Sequence, residues 1–388
     1  MVVKQVFNFV NEMIDQMSGL RTVEVKDATG LVSLGEEVLS SDTLVENFMG
    51  VMYDKTAKMI VNNRPYGGRV KQLMMDTFTF GAILQKIYVD PMEAKDSPQW
   101  NVEDEMEYSP IYIVKPNVRQ KVFTGITTWE FDTAIPDIQI RSAFTSAEQM
   151  ATFIDAIYVS LSNSMNMALE TMANTVYCTM IANRLIEVKA KSNNSNTVID
   201  LLTMYKEFTG DLDMTAEKAN TSPEFYKFAG MIMKQTITRM NQMGVTFNTE
   251  GYYRHTPKEM LNVTIVSDFA AGFDTFLQAS TFHNEITALP NYTEIPFWQG
   301  SGQHWESTRK VAIKTQGYTV EQDGVVAMFA DIEAMGMTID NQRMRSVYDA
   351  RHEVTAVYNK ADKGYFCDPS ENAVVFILAD AVATPQSL

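Results

Sequence analysis

Side chains able to do chemistry are thinly spread along this chain. No two of its four histidines, His255, His283, His304 and His352, stand at the spacing of metal ligands, and Cys178 and Cys367 are far apart. A structural role or surface position is therefore favoured over a metal site for both sets. The chain contains no G-x-S-x-G, G-x-x-x-x-G-K-S/T or G-x-G-x-x-G, which removes the nucleophile elbow and the phosphate cradles that those patterns mark. Gly67 and Gly68 beside Arg64 and Arg69 could cradle a phosphate, but they read more simply as a turn. The acidic cluster Glu103, Asp104, Glu105 and Glu107 lacks the regular ligand pattern of a calcium loop and reads as a solvated or salt-bridging tip. The expectation is a protein with no catalytic residues, no metal and no cofactor.

The whole composition narrows the class further. With 388 residues, 45% hydrophobic and 21% charged, the chain is globular and long enough for two or more domains. Its 32 basic against 48 acidic residues give a formal charge of -16, which argues against a dedicated nucleic-acid reader. A wall that must stand beside DNA without sticking to it would also be acidic. The first residues lack the basic flank and apolar block of a signal peptide, so the chain is expected in the cytosol where it is made, with both cysteines as free thiols. The N-x-S/T triplets at Asn193, Asn262 and Asn291 then carry no glycans. The 26 methionines suit adaptable contact surfaces, or are a compositional habit.

The elements that position these side chains are organised around one long amphipathic helix, expected from Thr145 to Glu187. Met150, Phe153, Ile154, Ile157, Tyr158, Leu161, Met165, Leu169, Met172, Val176, Met180 and Ile181 recur three or four residues apart and form one apolar stripe. Thr145 three residues before Glu148 reads as a capping box, and no proline or glycine follows within the span. The rod would be roughly 60 Å long. Glu148, Asp155, Asn163, Asn166, Glu170 and Asn174 interrupt it too often for a membrane span.

Residues 1–17 read as a helix, 20–41 as short β-like and glycine-broken pieces, and the stretch from Ser41 or Asp42 to about Met59 as a second helix. Between Lys71 and Thr128, alternating Ile83, Ile87 and Val89, then Ile111, Ile113, Val118, Val122 and Ile126, describe a long two-stranded excursion with the acidic tip. Such a ribbon needs a partner surface, from its own chain or from a neighbour. Lys191 to Asn196 reads as a boundary loop. Ser222, Pro223 and Glu224 start a helix running to Gly244. Leu261 to Val266 is a strand, Asp268 to Leu277 a helix, and Leu289 to Trp305 an exposed, aromatic-bearing loop. Strands follow at Val311–Thr315, Val325–Ala330, Met337–Ile339 and Arg351–Asn359. Ala373–Leu378 reads as a final strand buried on both faces. The class is α+β.

This order of parts resembles the major capsid proteins of tailed bacteriophages, with the HK97-like fold, and most closely those of the short-tailed phi29 type. Local matches fall in the same order. They are Gly81-Ala82-Ile83-Leu84-Gln85-Lys86-Ile87-Tyr88-Val89-Asp90 at the start of the excursion, and Pro116-Asn117-Val118 with Arg119-Gln120, leading through Phe131 to Phe144, at its exit. Phe153-Ile154-Asp155-Ala156-Ile157-Tyr158 matches in the helix, and Asn372-Ala373-Val374-Val375-Phe376 in the last strand. The resemblance implies an N-terminal arm (1–40), a helical connection (41–71) and an extended loop (72–128). It also implies a peripheral domain (129–188 with 318–365) and an axial domain (189–317 with 366–388). It departs at the end, where ten residues after Leu378 leave no room for the Ig-like domain of some relatives. Some capsids of this fold link a lysine covalently to an asparagine, and nothing here identifies such a pair.

The function so implied is a major capsid protein that self-assembles, through pentamers and hexamers, into an icosahedral or prolate head around a double-stranded DNA genome. Assembly would take place in the host cytoplasm and the protein would end in the virion. Scaffolding and portal proteins are the implied partners; DNA lies nearby without sequence-specific binding, and no membrane is involved. Charge complementarity suggests that Glu103, Asp104, Glu105 and Glu107 meet Arg343, Arg345 or Arg351 of a neighbouring subunit. Two alternatives stay open at this point: an encapsulin-like compartment shell of the same fold, and a cytosolic α+β enzyme without a motif.

Overall fold

The computed structural model describes residues 3–16, 25–41, 43–52, 72–75, 83–92, 94, 116–190, 196–278, 292–299, 309–315, 317–379 and 386–387. In chain order, helices α1 (Val3–Ile14), α2 (Ala28–Val38) and α3 (43–52) precede strands β1 (Ile83–Val89), β2 (Val118–Thr124) and β3 (Ile126–Pro136). Next come α4 (Asp137–Ala143), α5 (Ala147–Ala190), β4 (Val198–Asp200), α6 (Leu201–Thr209), α7 (Pro223–Met240), β5 (Leu261–Val266) and α8 (Ser267–Gln278). Strands β6 (Tyr292–Ile295), β7 (Val311–Thr315), β8 (Tyr318–Gln322), β9 (Val325–Asp331), β10 (Met335–Asp349), β11 (Val354–Cys367), β12 (Ala373–Ile377) and β13 (Gln386–Ser387) complete the order. The chain forms two compact units, Met1–Lys71 with Ile126–Ala173 and Met337–Gly364, and Gln72–Gly125 with Asn174–Gly336 and Tyr365–Leu388.

In the first unit the N-terminal helices share one apolar cluster with the start of α5. Val10, Met13, Leu31, Leu34, Phe48 and Met49 are buried together with Met150, Ile154 and Ile157. The reading of residues 20–41 as β-like is corrected by α2. Asp27 caps it by accepting from the Gly30 amide at 2.8 Å, and Leu31, Leu34 and Val38 share its buried face. The glycines that looked like breakers lie inside the helix. A Cβ on Gly35 would stand 2.6 Å from the Phe144 ring, so the absent side chain admits the contact. The same unit holds a three-stranded sheet in the order β10-β11-β3.

Helix α5 contributes residues 147–173 to the first unit and 174–190 to the second. Its stripe is as the sequence indicates. Met150, Ile154, Ile157, Leu161, Met165, Leu169, Met172, Val176, Met180 and Ile181 are buried and Phe153 half-buried, while the Tyr158 side chain lies outside the described residues. Ile135 and Val357 reach the cluster around Met150, but α1, α2 and α3 supply most of it. The start of the helix also differs. Ser146 accepts from the Gln149 amide at 3.2 Å, whereas the Thr145 hydroxyl donates to the Arg141 carbonyl at 3.4 Å in the turn that closes α4. Thr145 is thus engaged by the preceding helix and Ser146 takes the cap. No helix among the described residues is long and apolar enough to cross a membrane.

The second unit is built on a five-stranded sheet, β4-β12-β9-β5-β6. Its three central strands are buried at every position; β12 and β9 up to Ala330 are unbroken apolar runs, whereas β5 also buries Asn262 and Thr264. Ser222 caps α7 by accepting from Phe225 and Pro223 occupies its first turn, but the helix ends at Met240. Gly244 lies beyond it, bridged to Arg254. The expectation of an exposed loop at 289–305 is overturned where the chain is described. Residues 292–295 form β6, and Trp298 is fully buried, donating from Nε1 to the Val325 carbonyl at 2.8 Å with its ring against Tyr177. Prolines and glycines mark where a chain turns, and burial follows from the neighbours that it turns into. Trp305 lies outside the described residues.

Candidate subunit interface

The excursion is a ribbon. β1 and β2 run antiparallel in a continuous register from Ile83 opposite Thr124 to Val89 opposite Val118, and the Asp90 amide donates to the Asn117 carbonyl at 3.1 Å. Period two then sorts its side chains onto two faces of opposite character. Lys86, Tyr88 and Lys121 point inward. Ile87, Val89, Val118 and Val122 point outward and are 62%, 58%, 55% and 50% exposed.

The inner face is anchored on the turn between β11 and β12. Asp368, whose side chain is fully buried, accepts from the Tyr88 hydroxyl, from the Lys121 ammonium at 3.1 Å and from the Ser370 hydroxyl at 2.6 Å, and pairs with Lys86 at 3.4 Å. Burial alone would raise its pKa, but the hydrogen bonds from Ser370 and Tyr88 and the charge of Lys86 hold it at about 2. Tyr88 responds in the opposite direction: burial, and then its bond to Asp368, raise its pKa. Glu371 pairs with Lys86 at 3.3 Å and Arg254 at 3.0 Å, yet burial outweighs them and raises its pKa. Lys121 also bonds to Glu250. Burial works to lower its pKa, but Glu250 and Asp368 hold it above the usual lysine value.

The end of α5 holds the same turn from another side. Arg184, fully buried, donates to the Pro369 carbonyl at 3.2 Å and the Glu371 carbonyl at 2.7 Å, and also to Thr249 and Glu187. Glu187 in turn accepts from Thr197 and Thr249. A buried charge pair of this kind fixes geometry more than it adds stability. Here it fixes the turn on which the ribbon rests. None of Asp368, Glu371, Arg184 and Glu187 stood out in the sequence. The signals that could have found them are an ion pair three residues apart inside an apolar helix segment, and an Asp-Pro-Ser-Glu turn.

Among the described residues the outer face has no such anchor. Four aliphatic side chains half or more exposed on a two-stranded ribbon form a surface that is normally covered in a working assembly. Of the residues singled out in the sequence, Glu103, Asp104, Glu105 and Glu107 lie outside the described residues. Arg343 sits on β10 and binds Asp362 of β11 with two hydrogen bonds, at 2.6 and 2.9 Å. Arg345, on the same strand, and Arg351, in the turn that follows, are exposed.

Solved structures place this architecture. A chain from the capsid structure of Staphylococcus phage Andhra is 10% identical and superposes with a TM-score of 0.51, over 82% of this chain and 86% of that one. A chain from the structure of head fiber and inner core protein gp22 of native bacteriophage P68 is also 10% identical, with a TM-score of 0.49 over 80% and 84%. The first likeness shows the fold, the HK97-like capsid fold. No curated protein sequence matches the chain. The family described as Phi29-like phage major capsid protein matches residues 8–377, nearly the whole chain. The chain therefore belongs to the Phi29-like phage major capsid proteins, which form the head shell of the virion.

Proposed function

We propose that copies of this chain join through the outer face of the ribbon, and that the shell closes as pentamers and hexamers around double-stranded DNA with the help of scaffolding and portal proteins. The observation that carries the reading is the two-faced ribbon, with charged inner residues held by its own subunit and four outward aliphatics left for a neighbour. In this reading the chain is building material and catalyses nothing. Residues 72–128 act as the extended loop, 1–40 as the arm, 129–188 with 318–365 as the peripheral part and 189–317 with 366–388 as the axial part. The formal charge of -16 suits an inner wall along which packaged DNA slides, because clustered cations would hold phosphates in place. Glu103, Asp104, Glu105 and Glu107 then pair across the subunit boundary with Arg343, Arg345 or Arg351.

Size-exclusion chromatography with negative-stain microscopy, on the chain alone and co-expressed with its scaffolding protein, tests this. Closed shells are the expected result. A discrete monomer or dimer under every condition overturns the reading.

A further inference from the structure

The ribbon has edges as well as faces. In an antiparallel pair, alternate residues turn their backbone groups toward the partner strand and the others turn them away. Asp90 donates to Asn117, and the register steps evenly back from there, so Lys86 and Tyr88 bond to β2 while Gln85, Ile87 and Val89 aim their amides and carbonyls outward along the free side of β1. That side opens on a groove of about 570 Å³. Among the described residues its walls include Ile87 and Val89 on one side and Met243, Tyr253 and Met260 on the other, and no residue of β2 lines it. Met243 and Tyr253 are 58% and 52% exposed at its rim.

Most of the charges on its floor are paired within the subunit, and Asp331 accepts from the Thr256 hydroxyl and the Glu333 amide. Lys86 pairs with Glu371 and Glu333, and Arg254 with Glu371. Among the described residues, the groove offers a row of backbone donors and acceptors without a partner strand, flanked by apolar side chains, the recognition surface for an extended strand.

We propose that an extended segment of a second copy of this chain adds as a strand to the free edge of β1, inside this groove. The inference rests on the shell-forming function above, which makes further copies the partner already at hand. The groove is also continuous with the proposed contact face, because Ile87 and Val89 belong to both. The neighbour that covers the outer face would thereby also complete the sheet.

Hydrogen–deuterium exchange at single-residue resolution, on unassembled subunits and on purified shells, tests it. In shells the Ile87 and Val89 amides should exchange at least tenfold more slowly than in subunits. The Lys86 and Tyr88 amides, already bonded to β2, should change little. Gln120, whose amide points out along the far edge of β2, separates strand addition from mere coverage, and its exchange should change much less than that of Ile87. Shells with Ile87 and Val89 unprotected, or with Gln120 protected equally, overturn the proposal and leave shell formation standing. Absence of particles in sedimentation overturns both. Protection produced by adding scaffolding protein to unassembled subunits would assign the groove to that protein and overturn the assignment to a second copy.

Discussion

Lys86 and Lys121 stand directly opposite each other on the two strands of the ribbon, and the carboxylate of Asp368 lies between their ammonium groups, at 3.4 Å from one and 3.1 Å from the other. Like charges directly across an antiparallel pair repel. The ribbon tolerates them because the buried Asp368, supplied from the β11–β12 turn, bridges the two, while Glu371 and Glu333 also pair with Lys86 and Glu250 with Lys121. Its base is thus held by electrostatics, whereas its outer face is apolar.

Asp368→Asn should expose that dependence. The amide keeps the shape but leaves two lysines facing one another near a buried site, and a loss of about 3 kcal/mol in urea unfolding of the unassembled subunit is expected. Adding Lys86→Met should recover part of it, because the repulsion between the two facing lysines is then gone. If Asp368→Asn leaves the unfolding midpoint unchanged, the anion is not what holds the ribbon base.

Acid should act on the same residue within a defined window. The Asp368 pKa in the folded chain, about 2, lies below its ordinary 3.8. Its contribution, about 2 kcal/mol, is therefore fully present above roughly pH 4 and lost as the pH falls toward 2. Glu371 has the opposite sign: its pKa is raised by burial, so ionising it costs stability and acid relieves that cost. Pepsin cleavage within residues 83–124 of the unassembled subunit should therefore increase only between about pH 4 and 2. An onset near pH 6 would point to some other group.

The two glycines of α2 should respond differently to alanine. At Gly35 the new methyl meets the Phe144 ring at 2.6 Å, and overpacking of this kind costs about 1–3 kcal/mol. At Gly30 the nearest atom is Asp27 Oδ1 at 3.3 Å, the capping oxygen, which need yield only a few tenths of an ångström, and the helical preference of alanine offsets the strain on that cap, so the change should stay under about 1 kcal/mol. Thermal unfolding of both variants checks the difference. Equal effects would mean that Gly35 is not a packing position.

What could be read from the sequence divides along physical lines. The α5 stripe repeats a local period and the apolar runs of β9 and β12 are continuous, and the structure buries them as those patterns imply, whereas β5 is buried at Asn262 and Thr264 as well. Helix α2 was hidden because glycine is scored as a breaker, although its role at position 35 is set by Phe144, more than a hundred residues away. The ribbon anchor was hidden for the same reason. Tyr88 and Asp368 are 280 positions apart, and no periodicity links them. The alternating aliphatics of the outer ribbon face were legible, but that they remain exposed became visible only once the inner face was seen to be occupied.

Charge reversal at Arg345 and Arg351 tests the proposed pairing with the acidic tip. Arg345→Glu with Arg351→Glu should lower shell yield most at low salt, where repulsion from Glu103, Asp104, Glu105 and Glu107 is least screened. Reversing the four acids to lysine in the same chain should restore yield. If reversal of the four acids alone leaves yield and its salt dependence unchanged, the pairing is wrong.

The outer ribbon face allows the sharpest separation of folding from assembly. Ile87 lies opposite Gln120 and Val122 opposite Gln85, so the two aliphatics project from the same face, each half or more exposed in the single subunit. Ile87→Asp with Val122→Asp places charges where the subunit has water, and its own unfolding free energy should change by no more than about 0.5 kcal/mol per site. In a shell the same side chains would be buried against a neighbour, each contributing about 1–3 kcal/mol of lost apolar burial, before the desolvation of a carboxylate is counted. Since 1.4 kcal/mol corresponds to about tenfold in an association constant, shell yield at fixed concentration should fall by more than tenfold. Sedimentation measures the yield and circular dichroism confirms the fold. Wild-type yield from a folded double variant would show that the exposed aliphatics of the ribbon are not the contact between copies.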